Sequence, residues 1–117
     1  MIRGIGVDIS ATERFEGMGE KLLSRLFTEE EIRKAPSRSA EYYAARFSAK
    51  EAFSKALGTG IRGFSLTEIE IAEDDNGKPY FVLYGRAKAK AEGLRLHLSM
   101  SHEKEAAVAM VVAEDAN

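Results

Sequence analysis

Residues 47–60 read Phe47-Ser48-Ala49-Lys50-Glu51-Ala52-Phe53-Ser54-Lys55-Ala56-Leu57-Gly58-Thr59-Gly60. The run is dominated by good helix formers, and Gly58 is the residue type that ends a helix by entering the left-handed region. Upstream, Pro36 stops whatever precedes it, and Ser37 or Ser39 opens a new helix. One long helix is therefore expected from there through about Leu57. Tyr43, Phe47, Phe53 and Leu57 supply its buried stripe, and Ala44, Ala45, Ala49, Ala52 and Ala56 permit close approach by neighbours. Glu51 and Lys55 stand four apart and share a face. Alone, such a pair is usually a solvated ion pair worth about 0.3–0.5 kcal/mol. Here Arg46 and Lys50 lie nearby in sequence and a Gly-Thr-Gly loop follows. That concentration fits polyphosphate binding, with a carboxylate for a hard cation, a fixed positive charge and exposed N–H groups. It is not a Walker loop, because the Gly-x-x-x-x-Gly-Lys-Ser/Thr pattern is absent.

On the N-terminal side, Ile5, Val7 and Ile9 alternate with Gly4, Gly6 and Asp8, which predicts a strand with its apolar side chains facing inward. The two glycines on the other face leave room beside Asp8 for a ligand or another backbone. Asp8 itself could be a cap or turn former or a second acidic ligand. Ser10 to Glu13 and Thr28 to Glu31 both fit capping boxes that open short helices. In the second half, Glu68 to Ile71 alternate, Asp74-Asp75-Asn76-Gly77 supplies turn chemistry, and Tyr80 to Tyr84 form a further strand. Pro79 places the start of that strand at an edge or ahead of its pairing. Arg86 to Glu92 reads as a short helix closed by Gly93. Leu94, Leu96, Leu98 and Met100 alternate with polar residues, and Ala106 to Val112 form a last apolar run. The fold class expected is α+β, a small and mostly antiparallel sheet with one long and several short helices.

Length and composition narrow the functions open to such a fold. At 117 residues the chain has the size of one domain. With 44% hydrophobic and 31% charged residues it reads as globular, and a net charge of −2 gives no general attraction to nucleic acid. No cysteine is present, which excludes disulfides, thiolate nucleophiles and cysteine-ligated metals. With two histidines a zinc enzyme is not indicated. No stretch is apolar enough for a membrane span, and Met1-Ile2-Arg3-Gly4 lacks a signal-peptide pattern, so a cytoplasmic location is expected.

Among the remaining polar residues, Lys78 after the turn glycine is either solvated or a phosphate contact. His102 reads as a turn histidine, His97 as surface, and Met18, Met100 and Met110 as core or interface filler. Arg14, Lys21 and Arg25 sit among acidic residues, a mixed solvated face that would suit an acidic partner if the bases converge.

Taken together, Gly6-Val7-Asp8-Ile9, Arg46 through Ala52, Lys55 through Gly60, Gly77-Lys78-Pro79 and Ser99 through Glu103 resemble the holo-acyl-carrier-protein synthases, the short bacterial class of 4′-phosphopantetheinyl transferase. The likeness runs over essentially the full length. It implies a magnesium-dependent enzyme of fatty acid biosynthesis that moves the phosphopantetheine arm of coenzyme A onto a serine of apo acyl carrier protein, releasing adenosine 3′,5′-bisphosphate. By that resemblance Asp8 and Glu51 would bind magnesium and Lys55 would hold the pyrophosphate. Arg46, Gly58, Thr59, Gly60, Lys78, Pro79 and His102 would lie near the coenzyme, and Arg14, Lys21 and Arg25 would meet the carrier. It also implies a homotrimer with shared sites. A transferase for peptide-synthetase or polyketide carriers, and a metal-free interaction module, are the competing expectations.

Overall fold

The computed structural model describes residues 1–60 and 63–117. Strand β1 (Ile2–Ala11) leads through a 3-10 turn at Thr12–Phe15 into two short helices, α1 (Glu20–Leu26) and α2 (Glu29–Arg33). The long helix α3 (Ala40–Leu57) follows, then β2 (Ile69–Glu73), β3 (Pro79–Leu83), α4 (Gly85–Lys90), β4 (Leu94–His102) and β5 (Ala106–Asp115). Among the described residues all pairing is antiparallel and falls into two sheets, β1-β5-β4 and the hairpin β2-β3. The α+β class is as the sequence implied, with two small sheets where one was expected.

Helix α3 organises the molecule. It lies across the three-stranded sheet and is buried on most sides, with Ala44, Ala45, Ala49, Ala52 and Phe53 fully enclosed. One apolar cluster gathers Phe53, Phe64, Ile69, Ile71 and Val111 at its C-terminal half, and a second gathers Phe15, Phe27 and Tyr43 at its N-terminal half. Ser39 stands at the N-cap position and Gly58 closes the helix at φ 75°, the left-handed geometry that glycine adopts without strain.

The closest approach is between α3 and β1. A Cβ on Gly4 would stand 1.8 Å from the Ala56 carbonyl oxygen, and one on Gly6 would stand 1.9 Å from that of Ala52. The glycine face of β1 therefore receives the helix backbone, which corrects the expected orientation of the strand. Ile5, Val7 and Ile9 point away from α3 and are 62%, 55% and 71% exposed. Val108 and Met110 of β5 are exposed as well. Their register partners Ile9 and Val7 put all of them on the same outer face of the sheet.

The Thr28 capping box forms, with reciprocal bonds between Thr28 and Glu31. The one expected at Ser10 does not: β1 continues to Ala11, and Ala11 stands at the cap position of the 3-10 turn. Strand pairing with Ala107 holds Ser10 extended. Glu70 breaks the expected alternation of β2, for it is buried while accepting hydrogen bonds from Thr28 Oγ1 at 2.8 Å and Tyr84 Oη at 3.4 Å. The Asp74–Gly77 turn joins β2 to β3, with Asp74 Oδ1 accepting from the backbone N–H groups of Asn76 and Lys78.

Candidate active site

The Gly4/Gly6 contact fixes where Asp8 goes. Residues 4, 6 and 8 share one strand face, so after two glycines that admit the helix the first side chain to meet it is Asp8. Opposite stands the helix turn from Glu51 to Lys55. Lys55 Nζ donates to Asp8 Oδ1 at 3.2 Å and to the Val7 carbonyl at 3.0 Å. The Asp8 side chain is 17% exposed and that of Lys55 53%, so the carboxylate is held while the ammonium reaches solvent.

Glu51 is part-buried on the same helix turn. Burial raises its carboxyl above the usual range, and the nearby Asp8 raises it further; Lys55 and Arg14 act in the opposite sense. The strain of desolvation plus a like charge is what a bound cation would relieve. Arg14 stacks over Phe47 at 4.9 Å, and this brings it to the edge of the site.

A donor chain supports Asp8 from behind. Ser48 Oγ donates to Ser10 Oγ at 2.7 Å, and Ser10 Oγ donates to Asp8 Oδ2 at 3.4 Å. Both serines are buried. The sequence reading missed them, although the signal was available. Ser10 follows Asp8 by two on the same strand face, and Ser48 precedes Glu51 by three on the same helix side.

Asp8 and Glu51 offer only oxygen donors. Among the described residues no group of three or more His, Cys, Asp or Glu side chains is placed to hold a metal. A pair of carboxylates fits magnesium, which keeps waters and takes remaining ligands from substrate phosphates.

The other sequence candidates fall elsewhere along α3. Gly58, Thr59 and Gly60 follow Lys55 directly; Thr59 N–H donates to the Ser54 carbonyl at 3.2 Å. Arg46 is buried over the Tyr42 ring at 3.7 Å, its Nη2 lies 3.5 Å from Glu73 Oε2, and its Nε has no partner among the described residues. Pro79 pairs with Glu73 in the β2-β3 hairpin, so Arg46, exposed Lys78 and Pro79 form a second group. His102 makes a third, its Nδ1 lying 2.7 Å from Glu41 Oε1 at the first turn of α3. Ten residues of helix separate Glu41 from Glu51, about 15 Å. One chain therefore does not gather its coenzyme candidates into one pocket. Lys21 and Arg25 are exposed on α1. Lys50, grouped with the phosphate-binding charges in the sequence, is fully buried and faces away from Asp8 toward Glu31. At helix spacing it sits one residue, and so about 100°, round from Glu51.

Comparison with known proteins adds the following. The family model of the 4′-phosphopantetheinyl transferase superfamily matches residues 4–111. A holo-[acyl-carrier-protein] synthase of Clostridium acetobutylicum is 50% identical over 122 residues, covering 97% of this chain and 98% of that one. Among solved structures, a holo-(acyl-carrier-protein) synthase from Bacillus anthracis in complex with CoA (3′,5′-ADP) superposes with a TM-score of 0.84 at 44% identity, covering 99% of each chain. A Helicobacter pylori holo-[acyl-carrier-protein] synthase in complex with coenzyme A superposes at 0.82 with 30% identity, covering 94% of this chain and 99% of that one.

Proposed function

The chain belongs to the 4′-phosphopantetheinyl transferase superfamily, and from that premise we propose that it transfers the 4′-phosphopantetheine group of coenzyme A to a serine of apo acyl carrier protein, in the service of fatty acid biosynthesis. The observation that carries this reading is the meeting of Asp8, Lys55 and the part-buried Glu51 where two glycines let α3 touch β1. The relatives named for this activity cover 97% and 99% of the chain.

The reaction forms a bond from the carrier serine oxygen to the pantetheine-side phosphorus and breaks the bridging P–O bond, with adenosine 3′,5′-bisphosphate leaving. Charge builds on phosphate oxygens, so positioning and electrostatic stabilisation supply most of the catalysis. Asp8 and Glu51 would hold magnesium, which when bound supplies Lewis-acid neutralisation of the diphosphate. Lys55, half exposed, turns from Asp8 toward a phosphate oxygen as that charge develops. Glu51 accepts the serine proton, directly or through one water. Arg46, Lys78, Pro79, His102 and the 58–60 loop contact the coenzyme, and Arg14, Lys21 and Arg25 receive the acidic carrier.

Assembly belongs to the same proposal. The coenzyme candidates are spread along α3 in three groups, and the outer sheet face of Ile5, Val7, Ile9 and Met110 is exposed. Both support a homotrimer in which neighbouring copies complete each site.

Incubation with coenzyme A, magnesium and apo carrier protein tests the activity by carrier mass. The expected result is a gain of one phosphopantetheine arm, abolished in Asp8→Ala and reduced at least a hundredfold in Glu51→Gln. No gain with fatty-acid, polyketide or peptide-synthetase carriers would leave the fold as an interaction module, and a gain only with the latter two would redirect the carrier assignment.

A further inference from the structure

Lys50 is an ammonium with no exposure at all. It donates to three acceptors, the Leu26 carbonyl at 2.8 Å, Glu31 Oε1 at 2.7 Å and the Leu66 carbonyl at 3.1 Å. All of its donors are therefore used. It also lies 5.0 Å over the Phe27 ring. Glu31 in turn accepts from the Thr28 N–H with Oε1 and from the Ile71 N–H with Oε2, both at 2.9 Å. One cation thus ties together the end of α1, α2, a 3-10 turn at Leu66–Glu68 just before β2, and α3.

Burying a pair like this is an inefficient way to gain stability. An apolar pair of similar volume in the same place is often as good or better. What the pair supplies is a fixed geometry, and the geometry that depends on it most is that of α1. That helix has seven residues, no buried residue and no side-chain cap at its N-terminus. Helices this short do not hold themselves in water. Leu23 and Leu26 pack only partly against the core, and the firm anchors lie at the C-terminal end: the buried Phe27 ring and the Leu26 carbonyl. That carbonyl is one of the last in the helix and has no intrahelical partner of its own. Lys50 supplies the missing donor, and its own backbone is adjacent to that of Glu51.

We infer that Lys50 is a positioning residue for the carrier substrate, fixing the docking helix α1, with Lys21 and Arg25, at a set offset from Glu51. This rests on the reading of Lys21 and Arg25 as the carrier-docking side. Lys50 touches no substrate; it determines where the serine delivered on α1 stands relative to the carboxylate that receives its proton. Displacements of about 1 Å at such a distance cost up to about 100-fold in rate constants.

The test is steady-state kinetics with each substrate varied, on Lys50→Met and on the charge-balanced double variant Lys50→Met/Glu31→Gln, which serves if the single variant folds poorly. The expected result is a kcat/KM for apo carrier lowered about tenfold or more per coenzyme A-binding site, with the KM for coenzyme A within twofold of wild type. Calorimetric binding of coenzyme A with magnesium should likewise be unchanged. A purely structural role predicts something else: fewer folded molecules, hence fewer coenzyme A-binding sites by calorimetry and a carrier kcat/KM equal to wild type once expressed per site. That result, or an equal rise in both KM values, overturns the inference. Lys21→Glu/Arg25→Glu is measured in parallel. If it raises the carrier KM while the Lys50 variants keep the wild-type carrier kcat/KM per site, the docking reading stands and the positioning role falls. If it leaves the carrier KM unchanged, the docking reading fails and the inference with it.

Discussion

At the scale of single residues, the site is defined by what stands behind its carboxylates as much as by the carboxylates. Asp8 presents one oxygen to Lys55 and the other to Ser10, and Ser48 completes the chain from inside the helix. Because Ser48 sits on α3 with Glu51, the helix that carries one candidate ligand also orients the other. Removing the Ser48 hydroxyl leaves Ser10 free to rotate its proton away from Asp8, and outer-shell partners of this kind are worth about 10- to 100-fold in metal affinity. Ser48→Ala is therefore expected to weaken Mn2+ binding about tenfold, read by electron paramagnetic resonance in the presence of adenosine 3′,5′-bisphosphate. Ser48→Thr, which restores a hydroxyl, should recover most of the loss. Equal Mn2+ affinity in Ser48→Ala and wild type would show that the chain merely fills space.

At the scale of elements, the junction of β1 and α3 decides whether the site exists. Gly6 has no free volume for even one methyl group, since a Cβ there would meet the Ala52 carbonyl and the Ala56 nitrogen at 1.9 and 2.7 Å. These are backbone atoms in the C-terminal turns of a buried helix, so the strain cannot be relieved by a rotamer change. Gly6→Ala is expected to destabilise by about 1–3 kcal/mol or more, seen as a lower denaturation midpoint. It should also abolish transfer at temperatures where the chain remains folded, because α3 must lift away from Asp8. A folded, fully active Gly6→Ala protein would refute that account. This junction also shows what the sequence made legible and what it hid. The long helix, its Gly58 stop and the Glu51/Lys55 face were readable because period and capping are local properties. The room beside Asp8 for another backbone was readable from Gly4 and Gly6. The direction of the strand was not: alternation tells two faces apart but not which one meets the core, and here the apolar face is the outer one. Lys50 was misread for a related reason, since its burial comes from Glu31, Leu26 and Leu66, which no local pattern links to it.

At the scale of the whole molecule, the misoriented strand becomes informative. Ile5, Val7, Ile9, Val108 and Met110 form a contiguous apolar face on the outside of the three-stranded sheet, more than isolated surface residues would present. The candidate coenzyme residues are spread along α3 rather than gathered at Asp8 and Glu51. Both observations are accounted for if the sheet faces of neighbouring copies meet and each copy lends residues to the next. Val7 stands in the middle of that face, 55% exposed in the single chain and one residue from Asp8, yet on the opposite side of the strand. A charge placed there leaves the α3 contact and the fold of the chain intact but would be desolvated without a partner in an assembly, at a cost of several kcal/mol. Val7→Asp is accordingly expected to shift the sedimenting species from trimer to monomer with an unchanged far-ultraviolet spectrum. Carrier modification should fall by at least tenfold, and the loss should be smaller at high protein concentration, where mass action rebuilds the assembly. A monomeric Val7→Asp protein with wild-type turnover would mean that one chain holds a complete site, and that the exposed face serves something other than catalysis.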